Sequence, residues 1–222
     1  MDYGAIADRI GQKGKVAQEW VYQVLKSGII SGELTPGTQL KQDEISAALN
    51  VSHIPVREAV RRLEATGLVT IHPNRGASVS VLSRDTIVDM MEVRASLSMM
   101  LLKAGAPYLT EKDYDELERI VSEQEKTEDP FRTEELNHLF HTTLYTHADN
   151  DFARLMLNMV HDNIDRYVRF DFYSSEENRK KSVREHRMIA DACRRGSYDE
   201  ACELLRSHIL NAKQYIPENL ND

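Results

Sequence analysis

The sequence predicts a mostly α-helical chain in two parts: three helices with a β-hairpin, then an all-α bundle. Three patterns carry this. Residues 54–66 place apolar side chains at 56, 59, 60 and 63, the i, i+3, i+4, i+7 repeat of a helix with one buried face. Leu68-Val69-Thr70-Ile71-His72 and Ala77-Ser78-Val79-Ser80-Val81 favour strand, and Pro73-Asn74-Arg75-Gly76 between them is a hairpin turn. Beyond residue 83 the apolar positions keep helical spacing, and no segment reads convincingly as strand.

In chain order, residues 1–12 carry Gly4 and Gly11 and little periodicity, and read as a loose N-terminal arm. Apolar residues at 16, 20, 21, 24, 25 and 29 describe an amphipathic helix over 16–30. Gly and Pro punctuate a turn at 31–38. A short helix follows at 42–49, with Ile45, Ala48 and Leu49 inward, and Asn50 takes a turn that favours a left-handed residue. The helix at 54–66 holds Pro55 in its first turn, where a missing N–H costs nothing, and Gly67 stops it. Its Arg57 and Arg61, four apart, share a face away from the apolar one. Three helices plus the hairpin make residues 1–82 a winged helix-turn-helix.

Ser83-Arg84-Asp85 is the junction to a second domain, 83–222. Six helices are expected there, at 84–106, 112–127, 131–147, 150–172, 176–195 and 198–214, with short connections. Thr110 with Asp113, and Ser197 with Glu200, have capping-box spacing. Gly196 stops one helix before the second of these caps. Met90, Met91, Met99, Met100, Met156 and Met159 are expected to line the core.

No run of about eighteen apolar residues exists, so no membrane span is expected. The N-terminus lacks the basic flank and apolar core of a signal peptide. Cys193 and Cys202, the only cysteines, sit in apolar helical patterns and read as small buried residues of a cytoplasmic protein. The net charge of −8 is unevenly spread. Residues 1–82 hold nine Lys/Arg against eight Asp/Glu, about +1, which leaves −9 for the rest. A locally basic face on a near-neutral head suffices for double-stranded DNA, because charge at the contact sets the phosphate attraction.

Residues 16–82 resemble the winged-helix domain of GntR-type bacterial transcription regulators. The resemblance runs through Pro36-Gly37, Val51-Ser52, Pro55-Val56-Arg57-Glu58-Ala59, Leu63-Glu64-Ala65-Thr66-Gly67-Leu68-Val69 and Pro73-Asn74-Arg75-Gly76-Ala77-Ser78-Val79. Residues 84–214 resemble the FCD type of effector domain found in the FadR branch. There the matching pieces are Asn137-His138-Leu139-Phe140-His141, Asp149-Asn150, Glu185-His186, and Arg195-Gly196-Ser197-Tyr198-Asp199-Glu200-Ala201 leading to His208. The resemblance implies a homodimer on a short palindromic operator and a small-molecule site in the helical domain. Ligand binding there would change the spacing or mobility of the two DNA heads.

By the same resemblance Ser52, His53, Ile54 and Arg57 face DNA, with Arg75-Gly76 at the wing and Arg61 on the backbone. Arg57 can contact guanine bidentately and Ser52 can hold a phosphate. The family usually has Arg at 53 and Thr at 54, and many members place Arg where Asp43 stands here. His53 can still donate to a guanine or phosphate, and Ile54 can pack on a thymine methyl, so the family's usual half-site does not transfer. On their own, Arg57, Arg61 and Arg62 are compatible with plain surface charge.

Asn137 and His141, four apart, share a helix face, and His186 and His208 come from two later helices. In the family the first of these positions is Asp or Asn and the other three are His. The four together imply a divalent transition metal, with Zn, Ni, Co, Mn and Fe all compatible. Asn137 offers a neutral oxygen and so a weaker site than Asp. His138, His147 and His161 read as surface or satisfied core histidines. Arg94 stands where the family carries an Arg pointing into the cavity, able to clamp the carboxylate of a small organic acid. Ser98, four later, replaces the family's usual Glu, and an interhelical salt bridge is the other use for Arg94.

No enzymatic activity is expected. A rival reading is a metal-dependent α-helical hydrolase with an accessory winged helix, since His161-Asp162 resembles the dipeptide of the HD phosphohydrolases. It needs a carboxylate-rich metal centre and a base beside a bound water, and it leaves the winged head unexplained. A winged helix that binds protein is a third reading.

Overall fold

The computed structural model describes residues 1–11, 16–216 and 220. The chain divides into two compact units, Met1–Leu82 and Ser83–Asp222.

The first unit contains α1 (Tyr3–Ile10), α2 (Ala17–Ile30), α3 (Gln42–Ala48), α4 (His53–Ala65), β1 (Val69–His72) and β2 (Gly76–Val79). The strands pair antiparallel, Val69 opposite Val79 and His72 opposite Gly76. Asn74 and Gly76 take φ of 62° and 81° to close the turn. Residues 37–40 add a short third edge, with Gly37 N–H bonded to Val79 O at 2.9 Å and Leu40 N–H to Ala77 O at 2.8 Å. Val21, Val24, Leu25 and Ile29 of α2 and Val56, Ala59, Val60 and Leu63 of α4 meet in one core with Ile45, Leu49, Leu68 and Val79. Asn50, at φ 50°, turns the chain between α3 and α4.

Residues 3–10 are a helix rather than a loose arm. Asp2 caps it by accepting from Ala5 N–H at 2.9 Å, and Tyr3, Ile6 and Ala7 form one buried face. Gly11, at φ 84°, ends it. Tyr3, Ile6, Ala7 and Ile10 keep the i, i+3, i+4, i+7 spacing of a helix, so the local signal is present, and tertiary fit adds to it. Gly28 of α2 has no side chain where Ile6 lies, and an added Cβ would stand 2.8 Å from Ile6 Cδ1.

The second unit holds α5 (Arg84–Gly105), α6 (Glu111–Gln124), α7 (Pro130–Leu144), α8 (Asp151–Ser174), α9 (Glu176–Arg194) and α10 (Tyr198–Asn211). Short 3-10 turns follow α5 and α10, and no strand occurs among its described residues. Thr110 and Asp113 form a reciprocal capping box on α6, and Asn150 caps α8 through Ala153 N–H at 2.9 Å. Ser197 stands at the N-cap of α10 without a side-chain bond. The capping box expected there does not form, because Glu200 pairs with Arg195 at 3.2 Å instead. Phe140, Leu101, Leu102, Ile120, Leu136, Leu144, Ile189 and Leu205 fill the core, joined by Cys193 and Cys202. Of the six methionines expected inside, only Met91 is fully buried, and Met100 is 45% exposed. α5 buries the stripe Ile87, Met91, Ala95, Ser98, Leu102, so Met90 and Met100 fall to its flanks.

No described helix is long and apolar enough to cross a membrane.

Candidate functional site

Each unit presents its own candidate surface. In the first, the buried stripe of α4 fixes which side chains point out. Ser52, His53, Ile54, Arg57 and Arg61 are all exposed, Ile54 by 74%. His53, Arg57 and Arg61 recur every four residues along one face. Ser52 is the N-cap of α4, yet its hydroxyl makes no capping bond. Arg75 and Gly76 are exposed at the hairpin turn.

The three arginines of α4 differ in their surroundings. Arg57 makes no hydrogen bond or ion pair with a described residue. Arg61 lies 3.3 Å from Glu58. Arg62 is engaged within the fold, 2.6 Å from Glu19 and over the Tyr22 ring at 3.9 Å. His53 Nδ1 sits 3.4 Å from Ser46 Oγ and 3.6 Å from Asp43 Oδ1, so two of the three positions that depart from the family pattern face each other.

In the second unit, α7, α9 and α10 bring His141, His186 and His208 together, although 67 positions separate the first from the last. One ring nitrogen from each falls within 4.8 Å of the others. His186 Nδ1 is 2.9 Å from Gln124 Oε1, and His208 Nδ1 is 2.7 Å from Glu185 Oε2. Each Nδ1 therefore donates its N–H, which in a neutral ring leaves Nε2 as a lone pair. Those two Nε2 atoms face one another at 3.2 Å. Both nitrogens of His141 are buried without a hydrogen-bond partner. Burial, reinforced by His208, holds the His141 and His186 imidazoles well below the ordinary histidine range, so they are neutral donors at pH 7. Burial works to raise the Glu185 carboxyl, but the bond and charge of His208 outweigh it and keep Glu185 below its usual value. Phe140 stacks on His186 with centroids 4.0 Å apart and fixes its ring plane. Opposed lone pairs and an unpartnered buried imidazole suit a cation, so the residues present fit a metal ion. Asn137, one turn before His141 on α7, is buried.

Arg94 lines a small cavity of about 20 Å³ with Ser98, His141, Tyr145 and His161. It makes no ion pair with a described residue, so the interhelical salt bridge considered for it is not seen there. Among the histidines read as ordinary, His147 is bonded to Asp113 at 2.9 Å. His138 and His161 stack with centroids 4.9 Å apart and belong to a further cluster described below. Sequence reasoning did not find Gln124 and Glu185 as partners of the imidazoles. The adjacency of Glu185 to His186 was the one visible signal, and it misleads, since Glu185 bonds His208.

A winged helix-turn-helix with a solvent-facing basic second helix, followed by an all-helical domain, defines a class of bacterial DNA-binding transcription regulators. Comparison with known proteins agrees. Residues 17–79 match the family described as bacterial regulatory proteins, gntR family, and residues 89–211 match the FCD domain. The chain is 29% identical over 204 residues to the HTH-type transcriptional repressor RspR of Escherichia coli K12, covering 88% of this chain and 87% of that protein. A GntR-family regulator from Pseudomonas syringae pv. tomato superposes with a TM-score of 0.53 at 25% identity, over 96% of this chain and 92% of that one. Escherichia coli McbR/YncC shares the fold with a TM-score of 0.75 at 18% identity, covering 87% and 93%. The chain belongs to the GntR family and carries an FCD domain. It is a transcriptional regulator of that family.

Proposed function

We propose that this regulator binds a palindromic operator as a homodimer, and that a divalent metal and a small organic acid in the helical domain govern that binding. Ser52, His53, Ile54, Arg57 and Arg61 read the duplex from α4, with Arg75 and Gly76 at the wing. Asn137, His141, His186 and His208 hold the metal, one of Zn, Ni, Co, Mn or Fe. The observation that carries the sensing half is the pair of Nε2 atoms 3.2 Å apart, each ring held by an acceptor on its other nitrogen.

A bound ion supplies an electrophilic anchor for a carboxylate. The chain supplies the rest. Gln124 and Glu185 fix the tautomers, Phe140 fixes one ring plane, and Arg94 offers a guanidinium fork on the wall that His141 shares. A carboxylate held there bridges α5 and α7, and so biases the helical domain.

The test is metal content and thermal shift. His141→Ala or His208→Ala should release the metal found in purified protein, and unchanged content overturns the assignment. A screen of small organic acids, with and without divalent metal, should raise the melting midpoint for a binder by mass action. Salt-dependent binding to a short palindromic duplex tests the DNA half, and affinity that ignores salt contradicts it.

A further inference from the structure

A second group of donors lies outside the histidine triad, where α7 and α8 meet. On α7, Glu134 and His138 are four residues apart, and on α8 so are His161 and Asp165. Each pair shares a helix face, and the two faces converge. His161 Nε2 lies 3.0 Å from Asp165 Oδ2, 3.1 Å from His138 Nδ1 and 3.8 Å from Glu134 Oε1. One donor atom each from Glu134, His161 and Asp165 falls within 4.8 Å of the others. The two carboxylate side chains are only 13% and 12% exposed.

This arrangement is poorly balanced by protons alone. A neutral imidazole has one N–H to donate, yet three donor or acceptor atoms crowd one nitrogen of His161. Burial, together with the neighbouring Glu134 charge, pushes the Asp165 carboxyl well above the ordinary range. A shared proton cancels one of the two negative charges and Arg94 nearby offsets part of the other, whereas a dication would cancel both in place. The cavity of about 20 Å³ is lined by both His138 and His161, which leaves room for an ion beside the cluster. His161 finds its carboxylate at Asp165, one turn along α8, rather than making the site through the neighbouring His161-Asp162 dipeptide.

We propose that Glu134, His138, His161 and Asp165 form a second divalent-cation site, separate from the triad of His141, His186 and His208. Two imidazoles and two carboxylates suit a first-row ion of intermediate softness, such as Mn²⁺, Co²⁺ or Zn²⁺. The site does not depend on the triad being metal-bound.

The experiment counts metal in the full-length protein, stripped with chelator, equilibrated with excess Co²⁺ and freed of unbound ion. The wild type should carry two ions per chain. Glu134→Gln with Asp165→Asn, which keeps shape and removes charge, should carry one. His141→Ala with His208→Ala should also carry one, and the combined variant none. Helicity by circular dichroism checks folding. Should the Glu134/Asp165 variant not fold, the His141/His208 variant answers alone, since it retains one ion if the second site exists. A wild type saturating at one ion, a Glu134/Asp165 variant with undiminished uptake, or a His141/His208 variant that binds none overturns the second site. A His141/His208 variant that still carries two ions instead overturns the triad.

Discussion

Replacing Arg57 with alanine removes a guanidinium that stands exposed on α4 with no hydrogen bond or ion pair to a described residue. Folding should not notice. The docking face of Val56, Ala59, Val60 and Leu63 is untouched, and alanine is the best helix former for an exposed position. Binding loses a bidentate base contact of about 1–3 kcal/mol, roughly a 5- to 150-fold weaker complex. Arg61→Ala is a milder case. Arg61 must release its 3.3 Å contact with Glu58 to reach a phosphate, so its loss should weaken all sequences alike and lower the salt slope by about 1. Arg62→Ala should do the opposite of Arg57→Ala. It cuts the α4–α2 link to Glu19 and Tyr22, an exposed ion pair plus a cation–π contact of about 1 kcal/mol together. For a unit of this size that lowers the melting midpoint by roughly 4–8 °C. The assay is fluorescence anisotropy at several salt concentrations, on a duplex that the wild type selects from a random pool, with melting curves alongside. Wild-type affinity in Arg57→Ala, or a greater loss in Arg62→Ala at unchanged stability, refutes the assignment of roles.

Three further outcomes are expected. Gly105→Ala should cost about 1–3 kcal/mol, since the new Cβ would meet the Ala148 backbone nitrogen at 2.9 Å, and a midpoint equal to wild type contradicts this. Asp113 accepts from the Thr110 hydroxyl at 2.6 Å, from the Thr110 N–H at 2.8 Å and from His147 at 2.9 Å, and these bonds hold its carboxyl at about 2. Because that lies below the unfolded value of about 3.9, its stabilisation is complete above that value and fades as pH falls toward the folded one. Asp113→Asn should flatten the acid limb of the stability curve, and superimposable curves would count against the capping box. Chelator should lower the midpoint of metal-loaded wild type, each emptied site costing about 2.7 kcal/mol if free metal stood at a hundredfold its Kd, and should lower that of the His141→Ala, His208→Ala double variant by less, equal shifts counting against the triad.

Much of the fold could be read from the sequence because apolar spacing specifies helix faces directly. The stripe at 56, 59, 60 and 63 predicts the buried face of α4, and the two strand segments straddle the turn that Asn74 and Gly76 close. What escaped the reading was settled by competing partners and by helix faces rather than by residue type. α1 is eight residues long and carries Gly4, which masks its helical repeat at Tyr3, Ile6, Ala7 and Ile10, and it is held by Ile6 fitting the gap at Gly28. Ser197 and Glu200 have the spacing of a capping box, but Arg195 competes for the carboxylate. Residue type alone placed six methionines inside, whereas the helix face keeps only Met91 fully there.

The candidate metal centre shows the same boundary more sharply. The three histidines could be named from helix spacing and family resemblance, because each must sit at one point on its own helix. Whether they are ligands depends on which ring nitrogen keeps its proton, and that is decided from elsewhere. Gln124, 62 residues before His186, holds one tautomer from α6. Glu185 lies beside His186 in sequence, but consecutive helical residues point apart, and its carboxylate reaches α10 to hold His208. The spacing of the histidines thus encodes their convergence, while the direction of their lone pairs is encoded by residues with no fixed spacing to them. The two Nε2 atoms at 3.2 Å need a proton or a cation between them. With burial holding His141 and His186 neutral, each of those rings keeps a lone pair that a metal ion would take.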